Sequence, residues 1–256
     1  MTPKFRIAVL TVPSPQSWIA INAVVERFGP VAVLAEARMG KGELIAKRVK
    51  RQGVVTVAGQ IGYVMLQKLI DRRQRGRVDE IVREMQLNTE PNPACEIYEI
   101  GSVNSMACRA ALAKIRPEAV LVIGTRIIGR ETLAAIGVPV INSHAGWNPK
   151  YRGQAGGYWA LAKGDPDHAG VTVHLVDEGV DTGDILYQEK FTATAKDSFS
   201  TYYYIQAGVS RPLVVKALED ALSGSLKPYR NNLPSQQFYH PTLWGYLWTA
   251  LSKGVW

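Results

Sequence analysis

Short apolar runs alternate with helical stretches along the first half of the chain. Runs at 5–11 and 31–35 predict buried strands, and apolar residues recur at helical spacing over 18–28 between them. The continuous apolar run at 119–124 is typical of a strand buried on both faces, and 138–141 predicts the next strand. This order predicts an α/β fold with a Rossmann-like, mostly parallel sheet flanked by helices.

The second half of the chain begins with a different pattern. Alternating residues at 170–176 and a second run at 185–191 predict a hairpin whose tip, 177–184, holds four carboxylates and two glycines. A helical stretch at 198–222 follows, so we expect the sheet to end in a C-terminal β-hairpin/helix extension. The predicted domains are a main domain at 1–227 and an aromatic C-terminal extension at 228–256.

A basic helical insert at about 41–86 interrupts this α/β pattern. Residues 41–77 contain ten Lys or Arg and two Asp or Glu, and this excess of eight equals the +8 of the whole chain. Five apolar residues share one helical face of the insert: Val54, Val57, Ile61, Met65 and Leu69. We expect this face to pack on the core, although the segment could instead form a homodimer or touch an anionic membrane surface.

Composition describes an ordinary globular protein, with 46% hydrophobic and 20% charged residues. Cys95 and Cys108 are the only cysteines, which gives neither a metal-ligand spacing nor a disulfide framework. A cytoplasmic location and no bound metal are therefore expected. The longest apolar run, 54–66, is interrupted by Gln60 and is too short to cross a bilayer, so no membrane span is expected.

Polar side chains stand at the ends of the later strands. Asn142 and His144 follow the strand predicted at 138–141, and Asp181 lies in the carboxylate-rich tip of the hairpin. Ligands of open α/β sheets bind beyond the carboxyl ends of parallel strands. We therefore expect an amide, an imidazole and a carboxylate to form a rigidly held catalytic site there.

Further motifs follow these residues in order. Asn142-x-His144 is followed by Tyr151-Arg-Gly153, Gly164-Asp165, Gly170-Val-Thr-Val-His174 and Asp177-Glu-Gly-Val-Asp181-Thr-Gly-Asp184. The set resembles the folate-dependent formyltransferase superfamily, which includes glycinamide ribonucleotide, methionyl-tRNA and sugar-nucleotide N-formyltransferases. A lone Asn-x-His is a weak signal, but the ordered set with matching intervals, over about residues 117–227, is specific.

The resemblance implies transfer of a formyl group from the co-substrate 10-formyltetrahydrofolate to a primary amine. Attack of a neutral amine on the formyl carbon creates an oxyanion and a cationic nitrogen, which require a hydrogen-bond donor and a base. The resemblance therefore implies that Asn142 and His144 stabilise the tetrahedral intermediate. It also implies that His144 and Asp181 handle the proton.

The resemblance also implies two folate-binding segments and an acceptor segment. The loop that reads the pterin comprises Gly124, Thr125, Arg126, Ile127 and Ile128. The loop that closes over it comprises Val176, Asp177, Glu178 and Gly179. The acceptor is expected near Tyr151, Arg152, Gly153 and Gln154. Arg126 could equally be a surface charge beside a helix, and His174 could be structural or support the site.

Departures from the family pattern concern the acceptor. Ala145-Gly-Trp-Asn-Pro149 replaces the usual Pro-Ser-Leu-Leu-Pro, and the first loop, 12–18, lacks the glycines of a glycinamide ribonucleotide enzyme. About thirty residues follow Leu226, where tRNA-dependent relatives carry a β-barrel domain. Elimination leaves a nucleotide-linked amino sugar of the GDP or dTDP type, with GDP-perosamine of bacterial O-antigen (lipopolysaccharide) preferred. No nucleic-acid partner is expected.

Other functions stay open. They include a glycinamide ribonucleotide or methionyl-tRNA formyltransferase and a formyltetrahydrofolate hydrolase, in which water replaces the amine. A non-catalytic nucleotide-binding or membrane-peripheral module could use the basic insert and the aromatic extension. In that extension Tyr229 could stack on a base, while Trp244 and Trp248 could pack on the core or on a dimer mate.

Overall fold

The computed structural model of the protein describes residues 5–256. Its strands are β1 (Ile7–Thr11), β2 (Ala32–Glu36), β3 (Glu96–Ile100), β4 (Ala119–Ile123), β5 (Val140–His144), β6 (Arg152–Gly153), β7 (Gly170–Leu175), β8 (Ile185–Lys190) and β9 (Gln237–Phe238). Its α-helices are α1 (Pro15–Phe28), α2 (Lys41–Gln52), α3 (Val54–Arg73), α4 (Arg75–Glu84), α5 (Met106–Ile115), α6 (Arg130–Ile136), α7 (Gly156–Ala162), α8 (Phe199–Ser223) and α9 (Leu243–Lys253).

Seven of these strands form one sheet in the order β3-β2-β1-β4-β5-β7-β8. The first five are parallel to one another, and β7 and β8 continue the sheet in antiparallel pairing. Strands β1 and β2 are buried along their whole length, as their apolar sequences require. The structure confirms the predicted Rossmann-like, mostly parallel sheet and the predicted β7–β8 hairpin with α8 after it.

Strand β5 is longer than the sequence pattern predicts. Its parallel pairing with β4 stops at Asn142, opposite Val122. The antiparallel ladder with β7 then continues and pairs His144 with Thr172. The prediction that Asn142 and His144 follow the strand is therefore wrong, because a strand distant in sequence supplies hydrogen bonds to the last three residues of β5. Both side chains consequently project from a fixed strand.

The segment predicted as a basic helical insert, at about 41–86, folds as the three helices α2, α3 and α4 between β2 and β3. The prediction that its apolar face packs on the core is wrong. Val54, Met65 and Leu69 are 68%, 66% and 57% exposed, and Ile61 is also exposed. Val57 is the one member of the predicted face that is buried.

Helix α3 packs through a different side because α9 lies against it. A Cβ at Gly59 would lie 2.4 Å from the Trp244 ring, and a Cβ at Gly62 would lie 3.2 Å from Leu243. The two glycines therefore permit a close approach that a larger residue would block. Tyr63, 1% exposed, completes the buried side of α3.

The C-terminal extension folds back onto the main domain. Strand β9 pairs in parallel with β6, and the indole nitrogen of Trp159 donates to the Tyr239 carbonyl at 2.8 Å. The hydroxyl of Tyr229 donates to Gln188 at 3.2 Å, and Tyr229 is 44% exposed. Trp244 and Trp248 remain 54% and 72% exposed, so these two rings do not pack into the core.

Within residues 5–256, every helix is too short or too polar to cross a bilayer. Cys95 and Cys108 are both free thiols. In the same part of the chain, no group of three or more His, Cys, Asp or Glu side chains is placed to hold a metal ion.

An ion pair ties the insert to the loop before α8. Arg77 Nε donates to Asp197 Oδ1 at 2.9 Å, and Oδ2 of the same carboxylate accepts from the Thr194 backbone at 2.8 Å. The side chains of Asp197 and Arg77 are 1% and 16% exposed. Burial raises the pKa of Asp197, but Arg77 and Thr194 outweigh burial and hold that pKa below its usual value. The resulting stability is present above the usual carboxyl pKa and is lost as the pH falls through the lowered pKa.

Replacing Arg77 with Met is expected to lower the free energy of unfolding by about 3 kcal/mol at neutral pH, because a buried carboxylate loses its cation. Arg75→Met on the same helix is the matched control; Arg75 is exposed, and its loss should cost within about 0.5 kcal/mol. The Arg77→Met penalty should shrink in acid, where Asp197 becomes protonated. Urea unfolding followed by circular dichroism measures both variants, and equal penalties at neutral pH would contradict the assignment.

Candidate active site

The register of β5 and β7 places Asn142 opposite His174, so the two side chains project from the same face of the sheet. His174 Nδ1 lies 2.7 Å from the Leu175 carbonyl oxygen, which can only accept a hydrogen bond. Nδ1 therefore carries a proton, and in the neutral ring Nε2 is an acceptor. Asn142 Nδ2 donates to this Nε2 at 3.0 Å. His174 thus orients the amide of Asn142.

Asp181, at the tip of the β7–β8 hairpin, joins these residues. Its Oδ1 accepts from Asn142 Nδ2 at 3.2 Å, and its Oδ2 accepts from the backbone N–H of Gly153 at 2.9 Å. Oδ2 also lies 3.5 Å from His144 Nδ1. The φ of Asp181 is 51°, a left-handed conformation that Asp adopts more readily than most residues. The three residues predicted to be catalytic therefore meet at one point.

The contacts of His144 decide which ring nitrogen can exchange a proton. His144 is 7% exposed, and its Nε2 lies 3.0 Å from the Tyr151 carbonyl oxygen. Because that oxygen only accepts, Nε2 is a donor and keeps its proton. Nδ1 is then the ring nitrogen that is not committed to a backbone carbonyl, and it is the nitrogen that faces Asp181.

Asp181 remains ionised in this site. Burial raises the pKa of its carboxyl group, but the charge of neighbouring His144, the contact with His174 and the Gly153 N–H outweigh burial. Together they hold the pKa of Asp181 well below its usual range. A carboxylate with so low a pKa pairs with a protonated imidazole and does not take the proton itself.

The loop after β4, predicted to read the pterin, is anchored by a buried carboxylate. Gly124 turns the chain with a φ of 65°. Glu36, whose side chain is 0% exposed, accepts from the Arg126 backbone N–H at 2.9 Å and lies 3.3 Å from Arg126 Nε. Arg126, whose side chain is 28% exposed, is therefore part of a half-buried ion pair. Sequence reasoning missed Glu36, although a carboxylate that ends an apolar strand was an available signal.

The other three residues of this loop are Thr125, Ile127 and Ile128, and the two isoleucines differ in exposure. The Thr125 hydroxyl donates to the Arg126 carbonyl at 2.9 Å, and Ile128 is buried at 4% exposure. Ile127 between them is 53% exposed. Its carbonyl accepts from Asn104 Nδ2 at 2.9 Å, so the exposed apolar side chain stands on a fixed backbone.

The second predicted folate segment lies beside the first. Val176 donates from its backbone N–H to the Val140 carbonyl at 2.8 Å. Asp177 Oδ1 accepts from the Gly179 N–H at 3.0 Å, so this carboxylate shapes its own loop. Glu178 forms an exposed ion pair at 2.8 Å with Arg130, at the start of α6 directly after the first segment. The structure thus brings the two segments together.

Of the four predicted acceptor residues, Arg152 and Gly153 contact the Asp181 loop. The Tyr151 hydroxyl donates to Asp165 at 2.8 Å, and the Tyr151 ring is 2% exposed. Arg152 Nη1 donates to the Val180 carbonyl at 2.6 Å. The Gly153 N–H is occupied by Asp181, and Gln154 Oε1 accepts from the His240 backbone at 3.2 Å. The contacts of Arg152 and Gly153 position the loop that carries Asp181.

The fold and the site together define a class: an open α/β sheet whose strand end brings together an amide, an imidazole and a carboxylate. A family model described as formyl transferase matches residues 31–218. The chain belongs to the formyl transferase family.

Curated relatives match parts of the chain. Methionyl-tRNA formyltransferase of Pelotomaculum thermopropionicum is 37% identical over 111 residues, which cover 43% of this chain and 35% of the relative. The enzyme of the same name from Acidobacterium capsulatum is 33% identical over 130 residues, which cover 50% and 42%. The match thus spans less than half the length of either relative.

Solved structures match nearly the whole chain at low sequence identity. A sugar N-formyltransferase from a Shewanella species aligns with a TM-score of 0.58 and 16% identity, over 91% of this chain and 76% of its own. An N-formyltransferase from Helicobacter canadensis, solved with folinic acid and dTDP-3-aminofucose, aligns with a TM-score of 0.55 and 14% identity, over 91% and 70%. These similarities show a shared fold.

Proposed function

We propose that this chain transfers the formyl group of 10-formyltetrahydrofolate to the primary amine of a nucleotide-linked amino sugar. The observation that carries the proposal is the convergence of Asn142, His144 and Asp181 at the carboxyl end of β5 in a formyl transferase family member. When bound, the folate supplies the electrophilic formyl carbon. The base and the hydrogen-bond donor come from the chain itself.

The two loops beside the site fit a folate. Ile127 presents an exposed apolar side chain on a backbone that Asn104 and Glu36 hold in place. A flat ring system with polar edges needs such an apolar contact next to fixed backbone groups. Residues 124–128 would hold the pterin, and residues 176–179 would close over it.

His144 and Asp181 would remove the proton from the amine. Nε2 of His144 is committed to the Tyr151 carbonyl, so Nδ1 is the base that takes the proton. Asp181, 3.5 Å from Nδ1, pairs with the imidazolium that forms. This division of roles narrows the sequence-based prediction, in which Asp181 also helped to carry the proton.

Asn142 would stabilise the negative charge that develops on the carbonyl oxygen. Both of its amide hydrogens are engaged, at 3.0 Å with His174 and at 3.2 Å with Asp181. During the reaction the N–H group that contacts Asp181 would turn to the developing oxyanion, because this is the longer of the two contacts. The contact with His174 would keep the amide in place. His174 is thus a positioning residue.

An amino sugar is preferred over tRNA as the acceptor. The sugar N-formyltransferase structure aligns with 91% of this chain, whereas the methionyl-tRNA formyltransferase match covers 43%. That match, at 37% identity, favours tRNA as the second candidate. We further propose a cytoplasmic enzyme of O-antigen or lipopolysaccharide sugar synthesis, with GDP-perosamine as the first acceptor to test.

A substrate panel tests the proposal. Purified protein is incubated with 10-formyltetrahydrofolate and, separately, with GDP-, dTDP- and UDP-linked amino sugars, methionyl-tRNA, glycinamide ribonucleotide or buffer. Release of tetrahydrofolate is followed by absorbance and the product by mass spectrometry. We expect turnover with at least one amino sugar. The proposal would be contradicted if none of the amino sugars gave turnover and methionyl-tRNA, glycinamide ribonucleotide or buffer did.

A further inference from the structure

The apolar face of α3 points into solvent. Val54, Ala58, Ile61, Met65 and Leu69 recur at three- and four-residue spacing along one side of the helix, and all five are exposed. A surface helix ordinarily turns such a face toward the core. A contiguous exposed apolar surface on a protein marks an interaction site.

Helix α9 extends this surface. Trp244, Leu247, Trp248 and Leu251 follow helical spacing and are 54%, 36%, 72% and 78% exposed. The Trp244 ring lies over Gly59, so it joins the two helices. We call the five exposed residues of α3 and these four residues of α9 the α3–α9 face.

Cations stand at both ends of α3. Lys50 and Arg51 end α2, which directly precedes α3 and buries no residue. Lys68, Arg72 and Arg73 lie at the opposite end, and all five cations are exposed. Both ends of the apolar stripe are therefore positively charged.

Asp71, the one acidic residue of α3, is also exposed and offsets only part of this positive charge. Asp71 accepts from the Ser200 hydroxyl at 2.5 Å and from Gln67 at 3.0 Å, on the side of α3 that faces α8. A second copy of the chain would place cations against cations whether two α3 helices met parallel or antiparallel. Charge repulsion thus disfavours a homodimer through this surface.

We propose that the α3–α9 face docks onto an anionic lipid bilayer. The exposed leucine, valine and methionine side chains would enter the boundary between headgroups and acyl chains, as in helices that lie in the membrane plane. Tryptophan rings such as Trp244 and Trp248 suit that boundary, because one part is apolar and the other donates a hydrogen bond. The cations at both ends of α3 would contact anionic headgroups.

Flotation of the full chain with vesicles tests this docking. Vesicles of phosphatidylcholine alone are compared with vesicles that also contain phosphatidylglycerol. We expect binding to the anionic vesicles, weakened by added salt. Trp248→Ser with Leu251→Ser, and separately Lys68→Glu with Arg72→Glu, should each lower partitioning at least about tenfold.

Matched control variants separate the effect of the α3–α9 face from the effects of net charge and of exposed apolar area elsewhere on the protein. Lys114→Glu with Lys227→Glu changes the formal net charge as much as Lys68→Glu with Arg72→Glu, and Met106→Ser removes an apolar residue that is 78% exposed elsewhere. Both controls should bind like the unmodified chain, and thermal unfolding confirms that every variant is folded.

Three results would overturn the proposal. They are no binding to anionic vesicles, equal losses in the Lys68/Arg72 and Lys114/Lys227 variants, and unchanged binding of the Trp248/Leu251 variant. A dimer in sedimentation that the Trp248/Leu251 variant dissociates, without vesicle binding, would assign the face to a second copy. Vesicle binding is measured without substrates, so its outcome is independent of the formyl transfer test.

Discussion

Replacing His144 with Ala is expected to lower the turnover number for formyl transfer by about 10²- to 10⁴-fold, since a positioned general base contributes about that much. Nδ1 of His144 is the nitrogen that can take a proton beside Asp181, and its Nε2 is held by the Tyr151 carbonyl. Substrate binding should change less than turnover, because proton removal belongs to the chemical step. Steady-state kinetics with the acceptor found in the panel measure both quantities.

Ser143→Ala is the matched control for this substitution. Ser143 lies between Asn142 and His144 on β5, so its side chain points to the opposite face of the sheet. Its replacement should leave turnover within about twofold, since it removes a group outside the site. Near-normal turnover in a folded His144→Ala variant would remove His144 from the chemistry and, with it, the proposed proton path.

Replacing Asp181 with Asn is expected to lower turnover by at least about 10²-fold while the chain stays folded. The carboxylate accepts from the Gly153 N–H and from Asn142 Nδ2, and it faces His144 Nδ1. An amide at this position turns an N–H group toward one of these donors and cannot pair with an imidazolium. The loss should therefore appear in turnover first.

Asp184→Asn is the control for Asp181→Asn because Asp184 lies on the same hairpin loop and pairs with Arg230 at the surface. It should keep most of the activity, while differential scanning calorimetry checks both variants for folding. In the unmodified chain the pKa of Asp181 is held well below its usual range. Protonation of Asp181 should therefore not limit turnover at mildly acidic pH. A similar loss of activity in both variants would contradict the special role of Asp181.

Much of the sheet follows from local sequence. The apolar strands β1, β2 and β4 and the β7–β8 hairpin lie where the pattern places them, because a strand buried on both faces needs an unbroken apolar run. The spacing of Asn142, His144 and Asp181 also indicated their meeting point. The hairpin tip is set by a local pattern, whereas the end of β5 depends on its pairing with β7.

Other features depend on contacts between residues distant in sequence. Periodicity identified the apolar stripe of α3 but could not tell which side would be covered. The side that is covered depends on Gly59 and Gly62, because these glycines allow α9, near the C-terminal end of the sequence, to pack closely against α3. Glu36, too, acquires its role only because Arg126, ninety positions later, folds onto it.

The sequence by itself determined the α/β sheet, the order of the motifs that contain Asn142, His144 and Asp181, and the presence of a basic helical insert, because each depends on residues close together along the chain. The tertiary structure alone decided the protonated nitrogen of His144, the anchoring of Asn142 by His174 and the outward turn of the α3–α9 face. Each of these depends on which distant backbone or side chain occupies the neighbouring space, and local periodicity contains no information about that neighbour.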